Sequence, residues 1–168
     1  MSTSVREYRP EDLDQCRQLW VSLTQRHRDI YGDPAIGGDD PGSAFDVHLE
    51  HPQLHKLWVA VHENRVVGLC GLLAQGEESE LEPIVVDPNW RGQGIGTLLA
   101  GQAISESRRL RIRYVNVRPV GRNLEAISFF HREGFRLLGR LELSIPLEAA
   151  TPFGSSRTTE IHDLTFEY

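Results

Sequence analysis

The chain has few of the features that mark secreted, disulfide-framed or membrane-spanning proteins. It has two cysteines in 168 residues, Cys16 and Cys70, which form no CxxC pair and are typical of reduced, packed side chains. Its apolar runs are only a few residues long, far below the roughly 20 residues that cross a bilayer. Residues 1–10 carry three charges and lack the apolar stretch of a signal peptide. We therefore expect one domain over residues 1–168, located in the cytoplasm.

Positive charge is also scarce. The net charge is −6, with 18 basic and 24 acidic residues, and Lys56 is the only lysine. This balance disfavours binding to nucleic acid or to an anionic membrane, and we expect neither partner. One basic cluster falls at the predicted end of a helix, where it complements the helix dipole. An alternative function is that of a binding protein that uses this cluster as a basic patch. The cluster consists of Arg108, Arg109, Arg111 and Arg113.

The spacing of apolar residues predicts an α/β or α+β domain with the element order βα(α)βββαβαββ. Gly134 follows the last predicted helix in the position where helices commonly end. Strands are predicted at 5–8, 57–62, 66–73, 80–86, 114–117, 135–143 and 159–168. Helices are predicted at 10–28, 95–110 and 123–133, with a shorter helix at 44–50.

A glycine-rich loop over residues 91–97, RGQGIGT, follows a strand and opens a helix. Free backbone N–H groups and the positive end of the helix dipole make such a junction a binding site for phosphate. A P-loop would need a lysine directly after its last glycine, whereas Thr97 follows Gly96. A dinucleotide fingerprint would need GxGxxG and an acidic residue after the next strand, where Arg118 stands. Both of these nucleotide-binding loops are therefore excluded.

Two segments together resemble the GCN5-related N-acetyltransferases. Residues 84–99, IVVDPNWRGQGIGTLL, are similar to the central acyl-CoA signature of that family, and residues 123–135, NLEAISFFHREGF, are similar to its N-x-x-A-I-x-F-Y-x-x-x-G-F signature. The two segments occur in the family's order and at its separation. The resemblance implies an α/β fold with a mixed, strongly bent sheet of six or seven strands and helices on both faces.

The same resemblance implies acetyl-CoA as co-substrate and no metal. The pyrophosphate would lie on the amides of the glycine loop, and the pantetheine arm would pair with the strand before it, where a backbone N–H also polarises the thioester carbonyl. The implied binding residues are Ile84, Val85, Val86, Arg91, Gly92, Gln93, Gly94, Ile95, Gly96, Thr97, Asn123 and Phe130.

The implied reaction is direct attack of a primary amine, from a small molecule or a peptide, on the thioester. A carboxylate would take the amine's proton. Side-chain alternation predicts that Glu80, Glu82, Ile84 and Val86 share one face, which makes Glu82 the first candidate for general base and Glu80 the second. Phe130 stands where the family commonly has a tyrosine acid, and it cannot donate a proton. A catalytically silent acyl-CoA-binding sensor is therefore the alternative.

Residues 31–55 form a long irregular stretch of the kind that often carries function. In the resembled family this region shapes the acceptor pocket, and its acidic side chains would suit a cationic amine. His48, His51 and His55 recur at a spacing that would suit a metal on one helix face, but Pro52 interrupts the helix and no cysteine assists. The resemblance leaves the acceptor's identity open, and a homodimer is compatible with it.

Overall fold

The computed structural model describes residues 2–145 and 157–168. The longest described helix has 19 residues, and no described helix combines the length and the apolar composition that a membrane span requires. The helices are α1 Leu13–Tyr31, α2 Ala44–Leu49, α3 Ile95–Arg109 and α4 Leu124–Arg132. The strands are β1 Ser4–Glu7, β2 Leu54–His62, β3 Arg65–Gln75, β4 Glu78–Val86, β5 Tyr114–Asn116, β6 Thr158–Ile161 and β7 Leu164–Glu167.

Five strands form one mixed sheet in the order β1-β2-β3-β4-β5, antiparallel except for the parallel pair β4 and β5. Helices cover both faces, as the resemblance implies. Ile95 and Leu99 of α3 pack with Cys70 on one face, whereas Cys16 of α1 packs with Leu69 on the other. Because both faces are covered, β3 is buried along most of its length, which explains its nearly continuous apolar sequence.

A β-bulge interrupts β4 at Glu82 and Pro83. Cys70 pairs with Ile84, but Leu72 pairs with Leu81, so these two residues of β4 lie opposite the single residue Gly71 of β3. A bulge bends its strand and reverses the alternation of side chains beyond it. The bulge therefore directs the residues after it to the face opposite the one that an uninterrupted strand would give.

The chain after α4 differs from the prediction. Residues 135–143 were expected to form a strand, but they carry no strand assignment, and within the described ranges β5 pairs with β4 alone. An alternating apolar pattern forms a strand only where a neighbouring strand offers hydrogen bonds. The strand predicted over 159–168 is a separate hairpin, β6 with β7, because His162 and Asp163 adopt left-handed φ angles of 50° and 62° at its turn. The described sheet therefore has five strands rather than six or seven.

Candidate active site

The glycine loop combines left-handed backbone with an uncapped helix start. Gly92 and Gly94 have φ angles of 72° and 79°, and a Cβ built on either would meet no atom within 4 Å. The first helical hydrogen bond of α3 runs from Leu98 N–H to Gly94 O at 3.1 Å. The N–H groups of residues 95–97 therefore have no partner within the helix, and they follow directly on the open space at Gly92 and Gly94. This arrangement can hold an anion through backbone donors and the helix dipole.

The third glycine of the loop has a packing role. A Cβ at Gly96 would stand 3.0 Å from Cε2 of Phe129, so α3 can lie this close to α4 only without a side chain there. Thr97 adds a bond between the same helices, because its hydroxyl donates to Glu133 at 2.7 Å. These contacts fix the start of α3 against α4.

Other predicted binding residues lie around this junction. Asn123 caps α4, with its side-chain oxygen accepting from the Ala126 N–H at 3.1 Å. Arg91 is exposed and lies 3.5 Å from the Glu125 carboxylate, and Gln93 is exposed in the loop. Each of these side chains is thus placed beside the glycine loop or on the helix that packs against it.

Strand β4 parts from the edge strand β5 partway along its length. The parallel pairing runs only from Glu78 opposite Tyr114 to Glu80 opposite Asn116, whereas β4 continues to Val86. Within the described residues, the later part of β4 has no strand on that side. The Val86 carbonyl accepts a hydrogen bond from Arg91 at 3.3 Å. The other backbone groups on this edge can pair with an extended ligand that carries amide groups, such as the pantetheine arm of coenzyme A.

The open strand edge joins the glycine loop to Glu82. Ile84 and Val86 are half-buried against the α3 cluster, and Val85 is buried on the α1 face. At a rise of about 3.3 Å per residue, the strand covers roughly 13 Å between Val86 and Glu82. The loop, the open strand edge and a carboxylate thus follow one another along β4.

The two candidate carboxylates have different surroundings. Glu80 forms an ion pair with Arg118 at the end of β5. Burial raises the pKa of Glu80, and Arg118 opposes that rise. Glu82 is exposed, and it has no ion pair among the described residues. The two therefore differ in that only Glu80 is held by a neighbouring arginine.

The face that Glu80 and Glu82 were predicted to share with Ile84 and Val86 is wrong. Leu81, Ile84 and Val86 all belong to the α3 cluster, so Glu80 and Glu82, which flank Leu81, project to the opposite face. The bulge is the physical reason, because it inserts one residue between Glu80 and Ile84.

The structure separates the three histidines that the sequence spacing associated. His55 on β2 pairs with Glu106 of α3 at 2.7 Å. His48 is buried on α2, with its ring centre 5.2 Å from that of Trp20 and 6.3 Å from that of His51. Burial, with a smaller contribution from His51, lowers the pKa of His48 to about 4. Within residues 2–145 and 157–168, no three metal-ligating side chains are gathered.

His48 and Trp20 line the side of the sheet opposite α3, and the sequence arguments did not assign them a role. The spacing of His48 and His51 in the sequence indicates a metal motif and does not indicate that His48 is buried. The burial of His48 depends on α2 docking against β3, which no local pattern reports.

Phe130 is a packing residue. It is 7% exposed, and its ring centre lies 5.2 Å from that of Phe129 and 5.6 Å from that of Phe135. The ring belongs to the α3 cluster and has no group that can transfer a proton.

The basic cluster at the end of α3 is partly neutralised. Arg109 donates to Glu106 at 2.8 Å, and Arg113 donates to Glu77 at 3.0 Å. These pairings give two of its arginines a structural role in place of a free charged surface.

A helix start with free backbone N–H groups, an open strand edge and a carboxylate at its far end are the features that the resemblance implies for an N-acetyltransferase. The family model described as "Acetyltransferase (GNAT) family" matches residues 16–135. The chain belongs to the GNAT acetyltransferase family.

Relatives and solved structures agree with this assignment. A peptidyl-lysine N-acetyltransferase, YjaB of Salmonella typhimurium, is 35% identical over 144 residues, which cover 85% of this chain and 90% of that protein. The fold also matches a GNAT acetyltransferase of Staphylococcus aureus, with a TM-score of 0.68 at 20% identity over 85% of this chain and 90% of that one. PaiA N-acetyltransferase of Thermoplasma acidophilum, solved with coenzyme A, gives 0.69 at 18% identity over 82% and 92%.

Proposed function

We propose that the protein transfers the acetyl group of acetyl-CoA directly to a primary amine. The observation that carries the proposal is the succession of the glycine loop, the open edge of β4 and Glu82 along one strand. The open space in front of Gly92 and Gly94 fits a pyrophosphate, and the β4 edge at residues 84–86, where no β5 residue pairs, fits the amide groups of pantetheine. When bound, acetyl-CoA supplies an activated thioester, and every other contribution comes from the chain.

A lysine-like amine is the acceptor that the chemistry favours. The name of the Salmonella relative specifies peptidyl-lysine as acceptor for that protein, which supports the same class here. An amine with a pKa near 10 is about three units from its neutral form at pH 7, a cost of roughly 4 kcal/mol. Glu82 is exposed on β4 beyond the last residue that pairs with β5, and it takes the proton directly or through a water molecule.

The chain's groups have separate roles in the transfer. The amine nitrogen forms a bond to the acetyl carbonyl carbon, and the carbon–sulfur bond breaks. A backbone N–H of β4 within residues 84–86 stabilises the charge on the carbonyl oxygen. Phe130 supplies no proton, so the sulfur leaves as a thiolate, which its pKa near 8.5 permits.

A catalytically silent acyl-CoA-binding module is the second candidate, and Phe130 is the observation that favours it. Release of free thiol with any primary amine separates the two, because a silent module would bind acetyl-CoA and release none. The absence of nucleic-acid and membrane partners, and a homodimer, stay predictions.

The test begins with calorimetric titration of acetyl-CoA and of free CoA, followed by thiol release with lysine-containing peptides and small amines. We expect micromolar or tighter binding of acetyl-CoA. No binding of either ligand would refute the proposed function.

Glu82→Gln then tests the base. Turnover should fall most at low pH, where the amine is most protonated, while acetyl-CoA still binds. Glu78→Gln, on the same strand and exposed, is the matched control. A Glu82→Gln enzyme with unchanged activity across pH would remove Glu82 from the mechanism.

A further inference from the structure

His48 has a buried nitrogen without a hydrogen-bond partner. Its side chain is 7% exposed, and Nε2 is one of two buried side-chain nitrogen or oxygen atoms, among those described, that lack a partner. Buried polar atoms are nearly always hydrogen-bonded, so an exception calls for an explanation. The general acetyl-transfer scheme given above makes no use of this residue.

The unpartnered nitrogen faces the β4 bulge. A Cβ built on Gly71 would lie 3.1 Å from Nε2 of His48 and 2.3 Å from the backbone oxygen of Glu82. The imidazole nitrogen and the Glu82 carbonyl therefore border the same small space, which exists only because residue 71 has no side chain. A donor and an acceptor lie close together there without being bonded.

The ring has little freedom to turn elsewhere. It packs against Trp20 with the ring centres 5.2 Å apart, and Phe45, on the same short helix, is fully buried with its ring centre 5.8 Å from that of Trp20. These contacts hold the ring beside the space that the Glu82 carbonyl borders.

We propose that His48 is a positioning residue for Glu82, an inference that rests on the proposed function. With its proton on Nε2, the neutral imidazole donates a hydrogen bond to the Glu82 carbonyl when the acceptor occupies the site. That bond fixes the peptide from which the Glu82 carboxylate projects. In the free protein, Nε2 lacks the hydrogen-bond partner that the Glu82 carbonyl would provide.

The experiment compares His48→Phe with His48→Gln. Phenylalanine keeps a ring against Trp20 but removes the donor, whereas glutamine restores an N–H. We expect His48→Phe to lower kcat about ten- to hundredfold, the scale of a misplaced catalytic group. The KM for acetyl-CoA and the affinity for free CoA should stay unchanged, and His48→Gln should recover part of kcat. His27→Phe, a half-buried histidine on α1, is the matched control.

Two further measurements separate positioning from structure. The melting temperature of His48→Phe should be equal to or above that of the wild type, because an unpartnered polar atom is removed. In the Glu82→Gln background, His48→Phe should have no further effect on kcat, because the two residues act through one group.

Unchanged kcat in His48→Phe would overturn the inference, as would parallel losses of kcat and melting temperature that His48→Gln does not relieve. In both cases an active wild type would leave the proposed function intact. A wild type that binds no CoA and acetylates no amine would overturn the proposed function and, with it, the role of His48.

Discussion

Replacing Gly94 with alanine tests the anion cradle, and Gly32 provides its control. Gly94 at the start of α3 has φ 79°, and Gly32 at the end of α1 has φ 65°. A Cβ would meet no atom within 4 Å at either position. The two substitutions therefore introduce the same left-handed strain without a steric clash, and they differ only in what lies in front of the new methyl group.

The magnitudes follow from that comparison. An L-residue in the left-handed region costs about 1–2 kcal/mol, so Gly94→Ala and Gly32→Ala should lower the free energy of unfolding by similar amounts. Only the methyl at residue 94 would stand beside the free N–H groups of residues 95–97. We expect Gly94→Ala to weaken CoA binding at least about tenfold, or roughly 1.4 kcal/mol, and Gly32→Ala to leave it unchanged.

A third variant measures the effect of an added methyl without strain. Gly101 lies inside α3 with an ordinary φ and open space around it. Gly101→Ala should raise the free energy of unfolding by roughly 0.5–1 kcal/mol, because alanine loses less backbone entropy in a helix. Urea unfolding and calorimetric titration with CoA report both quantities for all three variants. Equal CoA affinity of Gly94→Ala and Gly32→Ala would refute the hypothesis that the glycine loop binds the pyrophosphate of CoA.

Two other substitutions test an ion pair of α3 and the missing acid at Phe130. Hydrogen bonds from Arg109 and His55 lower the pKa of Glu106 from 4.5 to about 2, so its ionised form stabilises the fold above about pH 4.5 and that contribution is lost as the pH falls toward 2. Glu106→Gln should flatten the fall in stability across this window in urea unfolding, and an unaltered acid limb would contradict the pairing. Phe130→Tyr should change turnover less than about tenfold, because a thiolate leaves without an acid. A large gain in thiol release would show instead that a missing acid limits the rate.

The elements around the glycine loop were predictable because their signals are local. The start of α3 after Gly94 and the Asn123 cap of α4 depend on residues within one helical turn, and both stand where the sequence places them. The strands from β2 to β4 were also predicted, with ends that lie up to three residues further out in the structure. Local backbone chemistry and the period of apolar residues were sufficient for these elements.

The strand predicted at residues 135–143 failed for the converse reason. Its leucines alternate well enough for a strand, but a strand also needs a partner, and pairing between distant segments leaves no mark in a local pattern. Leu137 and Ile145 are each 81% exposed in the described structure. The burial of His48 was hidden in the same way, since it depends on α2 lying against Gly71.

The β4 bulge shows why side-chain alternation gave the wrong face for the candidate carboxylates. Strict alternation treats Glu80 and Glu82 as equivalent, because each lies an even number of residues from Ile84. The extra residue opposite Gly71 places Glu80 and Glu82, which flank Leu81, on the face away from Ile84. Arg118 pairs with Glu80, whereas Glu82 is exposed where β4 has parted from β5. The bulge opposite Gly71 thus sets the face of both carboxylates, and the missing side chain of Gly71 leaves the space that His48 faces.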